Sequence, residues 1–216
     1  MDLLSRSELF SAFDRGVLER LILDSRRVEC DRNEVLFEEG DNADEMFVVQ
    51  SGRVAVGRRS LDGRESIVAL MEPGYLFGEM CLFDNLPRSA SARALEHSKL
   101  LAFPYSAVRK SLDEQPVLLW NVVRLLAERL RATDSALADA VLLDVTGRTA
   151  KWMLELAGDQ EEFQLPITQE ELAGLVGASR ERVNKSIAAF IRLGWIEQSE
   201  RRYRILERDK LSQRAR

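Results

Sequence analysis

The sequence predicts an α+β chain built in three consecutive parts: an N-terminal antiparallel β-roll, one long helix, and a C-terminal helix-turn-helix with a hairpin wing. Three observations predict it. Short apolar runs separated by turn residues fill residues 27–104, a seven-residue apolar repeat follows Pro116, and two helix-start signals flank a glycine at residues 168–179. With 216 residues, 45% of them hydrophobic, the chain has room for two ordinary domains.

The roll comes first. Apolar segments at 35–37, 46–49, 54–56 and 67–71 are followed in turn by Gly40-Asp41-Asn42, Ser51-Gly52, Asp62-Gly63 and Pro73-Gly74. Regular spacing of short strands by such turns argues for an antiparallel barrel or roll. Further strands are expected at 90–94 and 99–103, with Ser98 at the turn between them.

Within the roll lies the cassette Phe77-Gly78-Glu79-Met80-Cys81-Leu82-Phe83-Asp84-Asn85-Leu86-Pro87-Arg88-Ser89-Ala90-Ser91. Gly78 allows close backbone approach, and a short helix begun there would turn free N–H groups toward an anion. Arg88 can make two parallel hydrogen bonds to phosphate oxygens, and Ser89 adds a third donor. Glu79 would repel a phosphate, so its expected partner is a hydroxyl such as that of a ribose. The inventory is that of a nucleotide cradle, although a glycine turn followed by a surface arginine also serves as an ordinary turn.

Pro116 suits a helix start, because its fixed φ is helical and its missing N–H is not needed there. Leu119, Val123, Leu126, Leu130, Thr133, Leu137 and Ala140 then follow in alternating steps of four and three, an unbroken heptad seam. So narrow a stripe favours a seam between two copies of the chain over one buried within a single copy. Leu118, Trp120, Leu125 and Ala127 form a second set expected to pack on the helix's own domain. Thr133, polar within the seam, implies register control or a hydrogen-bonding duty.

The last domain opens near Asp144, with a helix at 149–157, an acidic loop at 158–162 and a strand at 163–166. Thr168-Gln169-Glu170-Glu171 has capping-box form and opens a helix over Leu172 to Val176 that Gly177 ends. Ser179 caps the next helix, which runs to about Leu193. Ala173, Gly177 and Val183 supply the small contact residue, the turn glycine and the apolar anchor of a helix-turn-helix, for which an ordinary helical hairpin is the alternative. Trp195-Ile196 and Tyr203-Arg204-Ile205-Leu206 flank the polar tip Ser199-Glu200-Arg201-Arg202 as a small wing.

Charge and composition narrow the classes. The chain has 31 Lys+Arg against 36 Asp+Glu; residues 145–216 hold 13 and 11 of these, leaving 18 and 25 for residues 1–144. A slightly basic C-terminal part beside an acidic N-terminal part fits a polyanion partner at one end. Cys30 and Cys81 are too few for a disulfide framework or a four-cysteine cluster and read as reduced thiols. No leader is recognised at the N-terminus and no run approaches the ~20 apolar residues of a membrane span, so a cytoplasmic protein without membrane contact is expected.

A roll with a phosphate cradle, a seam helix and a winged helix-turn-helix, in that order, resembles the cyclic AMP receptor protein and FNR family of bacterial transcription regulators. The matching strings are Phe77-Gly78-Glu79 with Arg88-Ser89-Ala90, Leu143-Asp144-Val145-Thr146-Gly147-Arg148, and Val176-Gly177-Ala178-Ser179-Arg180-Glu181 continuing to Val183. They fit the cyclic-nucleotide branch, since the cysteines of an iron-sulfur sensor are missing. The resemblance implies a cyclic-nucleotide-binding roll over 1–115, a dimerisation helix over 116–143 and a DNA-binding domain over 144–216.

It further implies that cyclic AMP is the effector, held by Gly78, Glu79, Met80, Arg88 and Ser89. Thr133 would contact the adenine, and the next residue would reach the nucleotide of the partner subunit. Asp134 stands there in place of the serine of the cyclic AMP receptor protein. On DNA, Arg180 can take guanine O6 and N7, Glu181 can accept from cytosine N4, and Lys185 can reach a second guanine. Lys185 replaces the family's arginine, within an expected GTGA-like half-site of a palindromic operator.

Thr168 and Ser179 at the two helix starts, with Arg182, Asn184, Ser186, Arg201 and Arg202, are the phosphate-contact candidates. The expected partners are double-stranded DNA and a second copy of the chain. The acidic loop at 159–162 lies where family members touch RNA polymerase, without matching residues. No enzymatic role is expected, since His97 is the sole histidine and cannot furnish the metal centre of a phosphodiesterase. A family regulator with another effector or none, and a cyclic-nucleotide-binding subunit without DNA binding, remain the alternatives.

Overall fold

The computed structural model describes residues 4, 7, 9–60, 65–200 and 202–216; the Asp62-Gly63 turn and Arg201 lie outside the described residues. The chain divides into two units, residues 1–58 with 68–131, and residues 59–67 with 132–216.

The strands of the roll are β1 (Arg26–Cys30), β2 (Val35–Phe37), β3 (Glu45–Ser51), β4 (Val54–Arg59), β5 (Glu65–Met71), β6 (Leu76–Phe77), β7 (Ser91–Ala94) and β8 (Ser98–Pro104). They form two sheets, ordered β1-β8-β3-β6 and β2-β7-β4-β5, and the connected ends of β4 and β5 belong to the second unit. Strand β3 is apolar on both faces, and the period of two explains why. Phe47 and Val49 enter one core with Leu100 and Ala102 of β8, whereas Met46 and Val48 enter another with Leu101 and Phe103.

Helices cover that second core. Asp14 caps α1 (Arg15–Asp24) by accepting from the Val17 N–H at 2.9 Å. Val17, Leu18 and Leu21 of α1, with Val108 and Leu112 of α3 (Tyr105–Glu114), close over it. Within the cassette a short helix, α2 (Met80–Asp84), ends at Asn85 in the left-handed conformation. Ser98 falls inside β8 rather than at a turn, and the strand expected from Ala90 begins at Ser91.

Pro116 opens a 3₁₀ turn (Pro116–Leu118) that leads into α4 (Leu119–Leu142), 24 residues or roughly 36 Å of helix. Its buried stripe is Val122 and Leu125 with Asn121, continued by Leu118 of the 3₁₀ turn. Trp120, 71% exposed, and Ala127 do not pack on their own domain as expected. Helical rotation of 100° per residue carries both off the face shared by 118, 122 and 125. The seam points outward: Leu119, Val123, Leu126, Leu130 and Leu137 are 39–64% exposed, and Thr133 and Ala140 are exposed with them.

The second unit contains α5 (Val145–Ala157), β9 (Glu162–Gln164), α6 (Gln169–Val176), α7 (Arg180–Arg192), β10 (Ile196–Ser199), β11 (Arg202–Ile205) and α8 (Arg208–Arg214). Two helices start earlier than the apolar pattern suggested, because their caps set the start. Asp144 accepts from the Gly147 N–H at 2.8 Å to begin α5 at Val145, and Thr168 begins α6 at Gln169. Helix α5 packs against α6, α7 and α8, and the three strands are ordered β10-β11-β9. Arg148 fastens α5 to its surroundings by donating to the carbonyls of Val176 at 2.8 Å and Leu143 at 2.7 Å. Among the described residues no helix is long and apolar enough to cross a membrane.

The Gly147 N–H holds the Asp144 carboxyl below the usual carboxylate range, and Arg214 lowers it further. Asp144→Ala is expected to cost about 1 kcal/mol of unfolding free energy, read as a lower urea midpoint. A depressed folded-state pKa contributes stability above the unfolded value and loses it as pH falls through the folded one. The difference from wild type should therefore be full at neutral pH and shrink as the medium is acidified below the ordinary aspartate range, near pH 3.9.

Candidate ligand site and nucleic-acid interface

The cassette turns sharply after β6. Gly78 has φ of +79°, and a Cβ there would stand 2.6 Å from Nη1 of Arg88. Only glycine lets the guanidinium lie this close to the backbone. The Arg88 backbone is itself fixed, its N–H donating to Asp41 and its carbonyl accepting from Gly40.

Arg88 is 5% exposed, unlike the surface arginine of an ordinary turn. Nη1 donates to the Gly78 carbonyl at 2.7 Å and to the Tyr105 hydroxyl at 3.0 Å, and Nη2 donates to the Glu45 carbonyl at 2.7 Å. The Phe37 ring covers the guanidinium 4.1 Å from its centroid. Nε is buried and has no hydrogen-bond partner among the described residues.

Glu79 has no exposed surface. Its partner within the chain is Arg129 of α4, whose guanidinium donates to Oε1 and also to the Leu76 carbonyl. Burial explains the pairing: a carboxylate removed from water needs a cation or several donors. Oε2 remains without a partner among the described residues. Met80 and Ser89 are exposed and meet each other, the Ser89 hydroxyl 3.7 Å from the Met80 sulfur. Thr133 and Asp134 are exposed on α4, and Thr133 shares the helical face of Arg129, four residues before it.

Arg129, Tyr105 and Glu45 are absent from the residues read from sequence. The i, i+4 spacing from Thr133 is the one sequence signal that could have found Arg129. A cavity of about 210 Å³ lined by Cys81, Asn85, Tyr105 and Arg109 adjoins the cassette, but Glu79, Arg88 and Ser89 do not line it.

In the second unit the two caps are as expected. Thr168 and Glu171 exchange both capping-box bonds, at 3.2 and 2.6 Å. Gly177 ends α6 with φ of +66°, and the Ser179 hydroxyl accepts from the Arg182 N–H to start α7. Val183, Ile187 and Phe190 anchor α7, which leaves Arg180, Glu181, Arg182 and Lys185 in solvent along its first turns. Lys185 lies 2.8 Å from Glu181 and holds that carboxyl below its ordinary range. Glu181 is thus kept an acceptor.

Asn184 is half-buried, with Oδ1 lacking a partner among the described residues. Ser186 is buried, hydrogen-bonded to the Arg182 carbonyl and to Thr146, and cannot reach a phosphate. On the wing, Arg202 stands in solvent 3.7 Å from Glu162.

Two family models match the two parts of the chain in turn. Residues 27–115 match the cyclic nucleotide-binding domain and residues 147–214 the Crp-like helix-turn-helix domain. The CRP-like cAMP-activated global transcriptional regulator of Mycobacterium tuberculosis is 37% identical over 100% of this chain and 99% of its own length. The catabolite activator protein of Thermus thermophilus is 32% identical, with 97% of this chain and 98% of that one covered at a TM-score of 0.56. The c-di-GMP-responsive global regulator CLP of Xanthomonas campestris is 26% identical, with 89% and 99% covered at a TM-score of 0.77.

The chain belongs to the cyclic AMP receptor protein and FNR family of transcription regulators, with a cyclic-nucleotide-binding domain ahead of a DNA-binding helix-turn-helix. Its relatives are regulators, not enzymes.

The Glu79–Arg129 pair makes a stability prediction. Arg129→Ala leaves a buried carboxylate uncompensated and should lower unfolding free energy by about 3 kcal/mol. Adding Glu79→Gln should recover part of that loss, since it removes the orphaned charge; thermal unfolding of both variants measures it.

Proposed function

We propose that the chain is a homodimeric transcription regulator that responds to cyclic AMP and binds palindromic operators with GTGA-like half-sites. The observation that carries this reading is a pair of buried groups in one cassette, Glu79 Oε2 and Arg88 Nε, that have no partner among the described residues. A ribose hydroxyl can donate to the first and a cyclic phosphate can accept from the second. Gly78, Met80 and Ser89 complete the cradle, and Thr133 supplies a hydroxyl for the adenine. The M. tuberculosis relative, cAMP-activated by name, supports the same effector.

The exposed apolar seam of α4 supports the homodimer, because water-facing leucines at heptad spacing are covered when two such helices pair. The regions 1–115, 116–143 and 144–216 then act as ligand-binding, dimerisation and DNA-binding parts of a cytoplasmic protein. Two recognition helices α7 about 34 Å apart would enter successive major grooves of one DNA face. Arg180, Glu181 and Lys185 would read bases, while Thr168, Ser179, Arg182, Asn184, Arg201 and Arg202 position the domain on phosphates. Ligand acts by binding the DNA-competent arrangement more tightly, and a shift from 1:99 to 99:1 needs about 5.5 kcal/mol of differential affinity.

A second reading is favoured by Asp134, a carboxylate where a neutral hydroxyl would suit a nucleotide, and by the c-di-GMP-responsive relative: the effector is another cyclic nucleotide. Calorimetry with cyclic AMP, cyclic GMP and cyclic di-GMP decides between them. The first reading expects cyclic AMP to bind and Arg88→Leu to weaken it ~100-fold, the equivalent of about 3 kcal/mol for two charge-assisted hydrogen bonds. Heat with cyclic di-GMP alone would favour the second.

The two kinds of DNA contact separate by mutation. Glu181→Ala should relax the preference for cytosine at its position by about 1–3 kcal/mol, whereas Arg202→Ala should weaken all sequences alike and reduce the salt slope by about 1. Binding titrations on operator and single-base variants at several salt concentrations measure both, and equal loss of specificity in the two would contradict the assignment.

A further inference from the structure

Tyr105 occupies a place that no motif explains. It is the first residue of α3, its ring is partly buried against the core beneath β8, and its hydroxyl sits in the cassette. That hydroxyl donates to the Gly78 carbonyl and accepts from Nη1 of Arg88 at 3.0 Å, while Nη1 also donates to the same carbonyl at 2.7 Å. Three groups from three segments of chain close into one triangle.

The triangle sorts the donors of Arg88. A guanidinium has five N–H groups in one plane, so fixing some of them dictates where the rest point. Both Nη1 hydrogens are engaged within the triangle, Nη2 is tied to the Glu45 carbonyl, and the Phe37 ring covers the guanidinium face. What is left is the second Nη2 hydrogen and Nε, the buried donor atom without a partner among the described residues. Without the Tyr105 hydroxyl one Nη1 hydrogen would lose its acceptor, and the plane would no longer be held on that side.

We propose that Tyr105 is the positioning residue of this site, holding the Arg88 guanidinium so that its Nε edge is kept for a ligand phosphate. The proposal rests on the cyclic-nucleotide reading of the cassette. Tyr105 itself makes no contact with the ligand; it acts through Arg88. Burial pushes the Tyr105 phenol well above its ordinary value, so its hydroxyl retains the proton it donates throughout the neutral range. Phenylalanine preserves the ring and its packing and removes only the hydroxyl, which makes Tyr105→Phe the informative substitution.

Calorimetric titration of full-length wild type and Tyr105→Phe with cyclic AMP, and with adenosine, which lacks the phosphate, separates positioning from general damage. The expected result is about tenfold weaker cyclic AMP binding, as for one hydrogen bond to a charged group, with adenosine binding as in wild type. Unchanged cyclic AMP binding, or an equal loss for both compounds, would overturn the proposal. A second measurement needs no ligand: nitrogen-15 NMR of the Arg88 side chain, assigned with Arg88→Lys. Separate Nη signals in wild type that merge in Tyr105→Phe support the hold, and separate signals in both overturn it. Failure of wild type to bind cyclic AMP refutes the effector assignment instead, with the ligand-free spectra still deciding the role of Tyr105.

Discussion

Glu79 has no exposed surface, and a carboxylate so placed loses hydration worth several kcal/mol unless a cation and hydrogen-bond donors replace the water. Arg129 is that cation, and it comes from the long helix rather than from the roll's own strands. The need to compensate one buried charge therefore couples the cassette to α4, the same helix whose outer face carries the apolar seam. Moving the helix at that point would expose or orphan Glu79, so the ligand cassette and the seam helix share an energetic fate. This coupling is local, resting on an ion pair, and does not require a chain of intermediate contacts.

Arg88 shows the complementary arrangement. Its guanidinium is buried and tied to two backbone carbonyls and a phenol, yet Nε has no acceptor among the described residues. On the proposed reading the cassette is an organised site that lacks hydrogen-bond partners, and a cyclic nucleotide supplies what Glu79 Oε2 and Arg88 Nε are missing. Binding energy gained in this way can change DNA affinity only to the extent that it differs between two arrangements of the dimer.

Local chemistry was legible in the sequence. The Thr168–Glu171 capping box, the left-handed Gly177 and the Ser179 cap lie within a dozen residues, and each is dictated by groups a few positions apart. The outward seam of α4 was likewise readable from its heptad spacing. What escaped is of two kinds. Strand β1 (Arg26–Cys30) alternates only weakly, with three charged residues out of five, and β6 is two residues long, so neither gives a periodic signal. The contacts that complete the cassette join residues 10 to 50 positions apart, as in Arg88 with Tyr105 and Glu79 with Arg129. Residue types identified Arg88 and Glu79 as candidates but could not reveal that both are buried, or which groups hold them. Ser186 and Trp120 show the same limit in reverse: a hydroxyl assigned to DNA is buried in the fold, and an indole assigned to the core stands in solvent.

The central claim is that a cyclic nucleotide in this cassette controls sequence-specific DNA binding. Selection of bound duplexes from a random pool by the full-length protein, with and without cyclic AMP, tests it most directly. The account predicts enrichment of a palindrome, its half-sites centred about one helical turn apart, only when cyclic AMP is present. The same palindrome recovered equally without any nucleotide, or no enriched sequence under either condition, would contradict it.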